Sequence, residues 1–204
     1  RSAPLLLYSY DFAEIEALQE AGHWEQAGKN LADMARRLED AGAEAIVICT
    51  NTMHKLTQYV EDEISIPLLH IVDATASAIL ASEAQDCLLL ATRYTMAQDF
   101  YKGPLADKIA TDNRRLHIPS ETACEIVHDV IYEELCRGII RPQSRKAYLD
   151  IIGQAADEFG VDGVILGCTE IGMLIGAQDT KLAVFDTTSL HCKAATDFIC
   201  ADVE

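Results

Sequence analysis

Basic residues are scarce in this chain: 16 lysines and arginines stand against 33 aspartates and glutamates, a formal net charge of −17. Nucleic acid and anionic membranes both select for a basic face, so neither is expected as a partner. The acidic excess reads as a well-solvated surface, and an anionic ligand would need local donors to hold it against the global field. Long apolar runs are also missing. None approaches the roughly 18 residues of a membrane span, and no signal-peptide pattern opens the chain. No low-complexity segment or long linker interrupts it. The seven cysteines, at 49, 87, 124, 136, 168, 192 and 200, are odd in number and follow no repeating spacing. Several sit in apolar runs, which points to a reduced, cytoplasmic chain rather than a disulfide framework. Neither a GxGxxG nor a Walker A pattern occurs, and no lysine is marked out for pyridoxal phosphate, so no cofactor is expected. His54 follows Cys49 at a spacing that suggests a metal, but no second ligand pair accompanies it and zinc takes four, so no metal is expected.

What is present is a folding composition. The 204 residues are half hydrophobic and few are aromatic, and the mean hydropathy is +0.07, enough for one large core or two small ones. Residues 4–9, 44–49, 67–71, 86–91, 162–166 and 182–185 read as short buried strands. Between them, apolar residues recur at helical spacing: Trp24, Ala27, Leu31, Met34 and Leu38; Ala123, Ile126, Val127, Val130 and Ile131; Tyr148, Ile151, Ile152, Ala155 and Phe159. Strands alternating with helices predict an α/β protein with parallel sheets. Periodicity is weakest around Lys102–Pro104 and over Asp112–Pro119.

The sequence also echoes itself. "EAIVICTNT" (44–52) lies over "DGVILGCTE" (162–170) without gaps, so Thr50 meets Cys168 and Asn51 meets Thr169. A second match sets "HIVDATASAI" from His70 over "AVFDTTSLHC" from Ala183, pairing Asp73 with Asp186. Two matches in one order suggest two related α/β halves. Asp73 and Asp186 are expected to cap the helices that follow them.

Ligands of parallel α/β sheets bind beyond the carboxyl ends of the strands, where both polar clusters fall. Helix starts there favour carboxylates, with Asn51, Thr52 and Thr169 as further neutral donors. Thr95, after the strand at 86–91, is another candidate for a substrate carboxylate. A cysteine so placed is expected to have its thiolate favoured, with a pKa below the free value of about 8.5, which marks Cys168 as the reactive group. The remaining cysteines, Cys49 included, read as small core or helix residues. His54 is expected on the first turn of a helix and His70 as a satisfied core histidine; Tyr10 and Asp11 lie at a strand end with a weak signal. Opposed acid/base groups from two halves would suit stereoinversion at carbon, one removing a proton from one face and the other delivering a proton to the opposite face.

"CTNTMHK", "LHIVDAT", "TRYTMAQDFY" and "GCTEIG", in that order, resemble the aspartate/glutamate racemase family of amino-acid racemases that work without pyridoxal phosphate, over nearly the whole chain. The resemblance implies two pseudo-symmetric, flavodoxin-like parallel-sheet α/β halves with the active site between them. Residues 1–83 with 187–204 form one half and 84–186 the other. It also implies a homodimer and an isomerase acting on a small amino acid, with aspartate or glutamate the first guess and a broad range open. Cys168 takes the second catalytic position, beside Thr169 and Glu170. Where most of the family has its first cysteine, this chain has Thr50, as in a subgroup that pairs threonine with cysteine. Cys49 lies one residue earlier and, by strand alternation, points to the other side. Asn51, Thr52, Thr95 and Thr169 are then expected to hold substrate, with Glu170 orienting Cys168 or the substrate ammonium. The opening "RSAPLLLYSYDF" matches the family's second strand, so residues upstream of it are expected in the natural protein. Three rivals follow from the same residues: a malonate-type decarboxylase with one cysteine as proton donor, an inactive amino-acid-binding relative, and, more remotely, a cysteine hydrolase.

Overall fold

The computed structural model describes residues 3–201. They fall into two compact units. The smaller comprises residues up to Ile48, Met53–His70 and the residues from Ala194 on; the larger comprises Cys49–Thr52 and Ile71–Lys193.

The smaller unit is mostly helical. α1 (Phe12–Glu20) starts at Asp11, whose side chain accepts the Ala13 N–H at 3.0 Å. α2 (Trp24–Asp40) buries Ala27, Ala32 and Ala35, and α3 (Thr57–Glu61) follows a 3₁₀ turn over Thr52–Leu56. Gly28 is required where α2 meets α3, because a Cβ there would sit 2.6 Å from the Tyr59 ring. The strands expected at 44–49 and 67–71 reduce to one parallel bridge, Ile46 to Leu68. The strand expected at 4–9 does not form: Leu5 and Leu7 are 79% and 84% exposed, and the segment joins no ladder. An apolar run becomes a buried strand only with a paired neighbour and a covered face, and residues 4–9 have neither among the described residues. His54 lies in the 3₁₀ turn, buried, its ring 4.6 Å from that of half-buried His70. Tyr10 donates its hydroxyl to the Asn30 carbonyl at 2.7 Å.

The larger unit is an α/β sheet with helices. α4 (Ile71–Leu80) precedes β1 (Asp86–Ala91), every residue of which is buried. Then come α5 (Arg93–Ala97), α6 (Asp99–Ala110), β2 (Arg115–His117), α7 (Glu121–Glu133), α8 (Pro142–Phe159), β3 (Gly163–Gly167), α9 (Ile171–Leu174), β4 (Ala183–Asp186) and α10 (Thr187–Cys200), whose residues from Ala194 on belong to the smaller unit. The strands lie in the order β2-β1-β3-β4, all parallel. Leu88, Leu89, Leu90, Val164 and Ile165 are fully buried at its centre, each contributing about 1.5–3 kcal/mol by leaving water. α8 shows both ends of a helix signal, with Pro142 in its first turn and Gly160 closing it at φ 71°.

Both weakly periodic stretches hold regular structure. Lys102–Pro104 lies inside α6, where Pro104 forfeits one helical hydrogen bond without ending the helix. The weakly periodic stretch Asp112–Pro119 holds β2, a three-residue edge strand too short to show alternation. It is fixed by its partner: Asp86 on β1 accepts from Arg115 at 2.6 and 2.8 Å and lies 2.6 Å from His117 Nε2.

Candidate active site

The sheet order locates the site. From β1 the chain crosses to β2 on one side, then returns to β3 on the other, so the carboxyl ends of β1 and β3 frame the switch point at which such sheets bind ligands. Thr92 and Thr95 follow β1, Cys168 follows β3, Asp186 ends β4 and Thr187 follows it. The loop Cys49–Thr52 packs within the same unit, and two of its side chains show where.

Thr52 Oγ1 lies 3.1 Å from Thr92 Oγ1 and 3.4 Å from Thr95 Oγ1, which are themselves 3.3 Å apart. All three threonines are buried. Thr92 is the N-cap of α5, accepting from the Thr95 N–H at 3.4 Å. Asn51, only 3% exposed, donates from Nδ2 to Thr187 Oγ1 at 3.0 Å, and Thr187 donates to the Leu166 carbonyl at 2.8 Å. The single Thr187 proton is thus committed to Leu166, so Thr187 must accept from Asn51, which fixes the orientation of the amide. Asn51 Oδ1 is then buried with no hydrogen-bond partner among the described residues. A buried acceptor in that state costs about 1–3 kcal/mol, and an incoming donor would relieve it. Thr50, between these anchors and exposed Cys49, is half-buried.

Cys168 is half-buried and donates to Glu170 Oε2 at 2.9 Å; Thr169 donates to the same oxygen at 2.7 Å. Burial and the adjacent Glu170 carboxylate together push the Cys168 thiol well above its ordinary pKa. This overturns the expectation of a favoured thiolate. The expectation rested on helix macrodipoles, but the structures after the two clusters are a five-residue 3₁₀ turn and a four-residue α9, too short to offset an anion in direct contact with the sulfur.

The structure therefore brings Thr52 to Thr95, Asn51 to β4's end, and Glu170 to both Cys168 and Thr169. Cys49 is exposed on a bend, neither core nor helix, while Ile46 and Ile48 are buried, in keeping with strand alternation. Asp186 caps α10 as expected, accepting from the Thr188 N–H at 3.0 Å and the Ser189 hydroxyl at 2.7 Å. Asp73 does not cap α4: it lies within the helix and pairs with Lys108 at 2.9 Å. The second match of the echo is thus unequal: one copy is helix from Ile71, whereas the other is strand to Asp186 and helix only from Thr187. Sequence reasoning missed Thr92 and Thr187. Thr92 carried a usable signal, a threonine between a strand and a helix start; Thr187 faced Ala74 in the echo and so gave none. Among the described residues, no cluster of three or more His, Cys, Asp or Glu side chains could hold a metal, and no helix is long and apolar enough to cross a membrane.

Comparison with known proteins finds relatives of the chain. The family model described as Asp/Glu/hydantoin racemase matches residues 2–195. A candidate Asp/Glu racemase from Yersinia pestis is 47% identical, with a TM-score of 0.87 over 98% of this chain and 85% of its own. The aspartate racemase homologue PH1733 from Pyrococcus horikoshii OT3 is 32% identical, with a TM-score of 0.81 over 95% of this chain and 82% of its own. The broad specificity amino-acid racemase RacX of Bacillus subtilis (strain 168) is 22% identical over 81% of this chain and 69% of its own.

Proposed function

The chain belongs to the Asp/Glu/hydantoin racemase family and is an amino-acid racemase, an isomerase; from that premise we propose that Cys168 and Thr50 serve opposite faces of the substrate Cα without a cofactor. What supports this reading is that Cys168, the threonine hydroxyls and Asn51 Oδ1, unpartnered among the described residues, belong to segments at the carboxyl ends of β1, β3 and β4. The hydroxyls of Thr52, Thr92 and Thr95 supply neutral donors for the α-carboxylate, suited to a chain whose net charge repels anions. Asn51 was expected to hold that carboxylate as well. Its unpartnered atom is an acceptor, which fits the substrate ammonium instead.

On the Cys168 face, Glu170 gives the thiol proton somewhere to go. Transfer from Sγ to Oε2 leaves a thiolate that takes the Cα proton; reversal returns it. On the other face Thr50, a very poor base, relays a proton through its hydroxyl or through a water it holds. The two enantiomers are equally stable in solution, so kcat/KM is equal in both directions and a slow Thr50 step limits both. Acidic amino acids are the first substrates to try, and a broad range fits the neutral donors. The reading includes a cytoplasmic homodimer and the two sequence halves given above.

The test is a panel of L- and D-amino acids in deuterated water with native protein and Cys168→Ala. One enantiomer should exchange its Cα proton faster than it inverts, and Cys168→Ala should lose on the order of 10²–10⁴-fold in inversion. Undiminished inversion by Cys168→Ala, or equal exchange and inversion rates for both enantiomers, would refute the assignment. A second reading draws on the raised thiol pKa: a protonated Cys168 is also a proton donor for decarboxylation of a malonate-type acid. Carbon dioxide release from such acids would identify it.

A further inference from the structure

His128 is buried on α7, and its hydrogen bond is not made to a residue assigned to substrate. It meets the first residue of α5 instead: the Arg93 backbone N–H donates to His128 Nδ1 at 3.4 Å. That N–H is one of the first four of a helix, none of which has a partner inside the helix. Arg93 follows Thr92 directly and stands two residues before Thr95, so the bond fixes the short turn that carries two of the three clustered hydroxyls. The ring is held in place by Tyr132, at a centroid distance of 4.7 Å, and by Tyr94 edge-on at 5.9 Å.

We propose that neutral His128 is a positioning residue for the substrate carboxylate, pinning the first turn of α5 so that Thr92 and Thr95 keep their places beside Thr52. This rests on the reading of those hydroxyls as carboxylate donors. Because Nδ1 faces an N–H, it must be the unprotonated nitrogen. A proton arriving there would replace an acceptor with a second donor, break the bond and set a cation beside Arg93.

The surroundings resist that proton. Burial and then the Arg93 guanidinium hold the His128 pKa below its ordinary value, opposed more weakly by Glu125 and Asp129. From α5 the facing groups are Arg93, which pairs with Glu125 at 3.4 Å, and Tyr94. On α7 they are Glu125, Asp129 and Tyr132. From α8, Tyr148 donates to the neighbouring Val127 carbonyl at 2.9 Å; the 3₁₀ turn after α7 carries Cys136 and Arg137, the latter paired with Glu133 at 2.8 Å. β1 packs against α7 with buried apolar residues from Cys87 to Ala91. With the folded pKa depressed, the bond is intact at neutral pH and is lost as pH falls below the ordinary histidine range near about 6.5.

The experiment measures KM and kcat for racemisation between about pH 5 and pH 8 in native protein, His128→Gln and His128→Leu. Amide hydrogen exchange of residues 93–97 is followed in parallel. Glutamine can accept from Arg93 but does not titrate; leucine can do neither. In native protein KM should rise by about tenfold towards acid, the worth of one hydrogen bond, with kcat changing less. His128→Gln should keep a low, flat KM, and His128→Leu a high one throughout. The proposal is overturned if His128→Gln keeps the acid rise, or if His128→Leu matches native KM near neutrality. Failure of the racemase reading would look different, with neither inversion nor Cα exchange in any of the three at any pH. The exchange data still decide: acid-induced loss of protection at 93–97 in native protein but not in His128→Gln supports the pin, and equal behaviour refutes it.

Discussion

At the scale of single residues, the chemistry turns on which state Cys168 occupies at rest. The Glu170 carboxylate accepts from both the thiol and Thr169, so the resting group is a thiol with its proton acceptor already in place. Glu170→Gln keeps an acceptor for Thr169 but removes the negative charge that disfavours thiolate. Alkylation of Cys168 by iodoacetamide, read by mass spectrometry of its peptide, should then have its midpoint at lower pH. At the same time kcat should fall by on the order of 10²-fold, because a neutral amide cannot take the proton. A midpoint that does not move would remove Glu170 from this role. Cys168 and Glu170 were both legible as residues from "GCTEIG". Their protonation was not, because it depends on how far burial and one carboxylate outweigh the end of a short helix.

At the scale of elements, α4 shows how a site-bearing unit is held together away from its site. Buried Arg114 reaches back from the residue before β2 and donates to the carbonyls of Ile79, Leu80 and Ser82, the last two at 3.1 and 2.9 Å. A guanidinium at a helix C-terminus satisfies carbonyls the helix leaves open and faces the favourable end of its dipole. Asp112, its ion-pair partner at 2.9 Å, is exposed. Arg114→Met keeps most of the side-chain volume and should cost about 3 kcal/mol, from several charge-assisted hydrogen bonds lost at once. Urea denaturation measures this, and an unchanged midpoint would mean that water replaces the guanidinium. The helices α2, α7 and α8 were legible because their apolar spacing is long and regular. β2 and the interior of α6 were not. Three residues cannot display a period, and Pro104 reads as a helix breaker unless packing holds the helix on both sides of it.

At the scale of the whole molecule, acid stability combines a global and a local effect. Lowering the pH towards the sequence pI of about 4.6 relieves self-repulsion of the acidic surface. The bidentate Arg115 contact and His117 meanwhile hold the Asp86 carboxyl below its usual pKa. A depressed folded pKa gives stability that is present above the unfolded value and is lost as pH falls through the folded one. Asp86→Asn should therefore be less stable than native protein by about 1 kcal/mol near neutrality, since Arg115 is largely exposed and its attraction screened. The difference should vanish once Asp86 is protonated in both states. The global effect is common to both proteins, so a gap that does not narrow as pH falls below the ordinary aspartate value of about 3.9 would contradict the assignment.

The sequence by itself determined the α/β class, the two polar clusters after apolar strands, and the order of motifs that place the chain in its family. These are local patterns of burial and spacing, written along the chain. Only the tertiary structure decided that Thr52 meets Thr92 and Thr95, that Asn51 leaves an acceptor unpartnered among the described residues, and that His128 meets Arg93. It also decided that residues 4–9 stay exposed rather than pairing. Each depends on which neighbour stands opposite a group once the strands lie in the order β2-β1-β3-β4, and spacing along a chain carries no record of that partner.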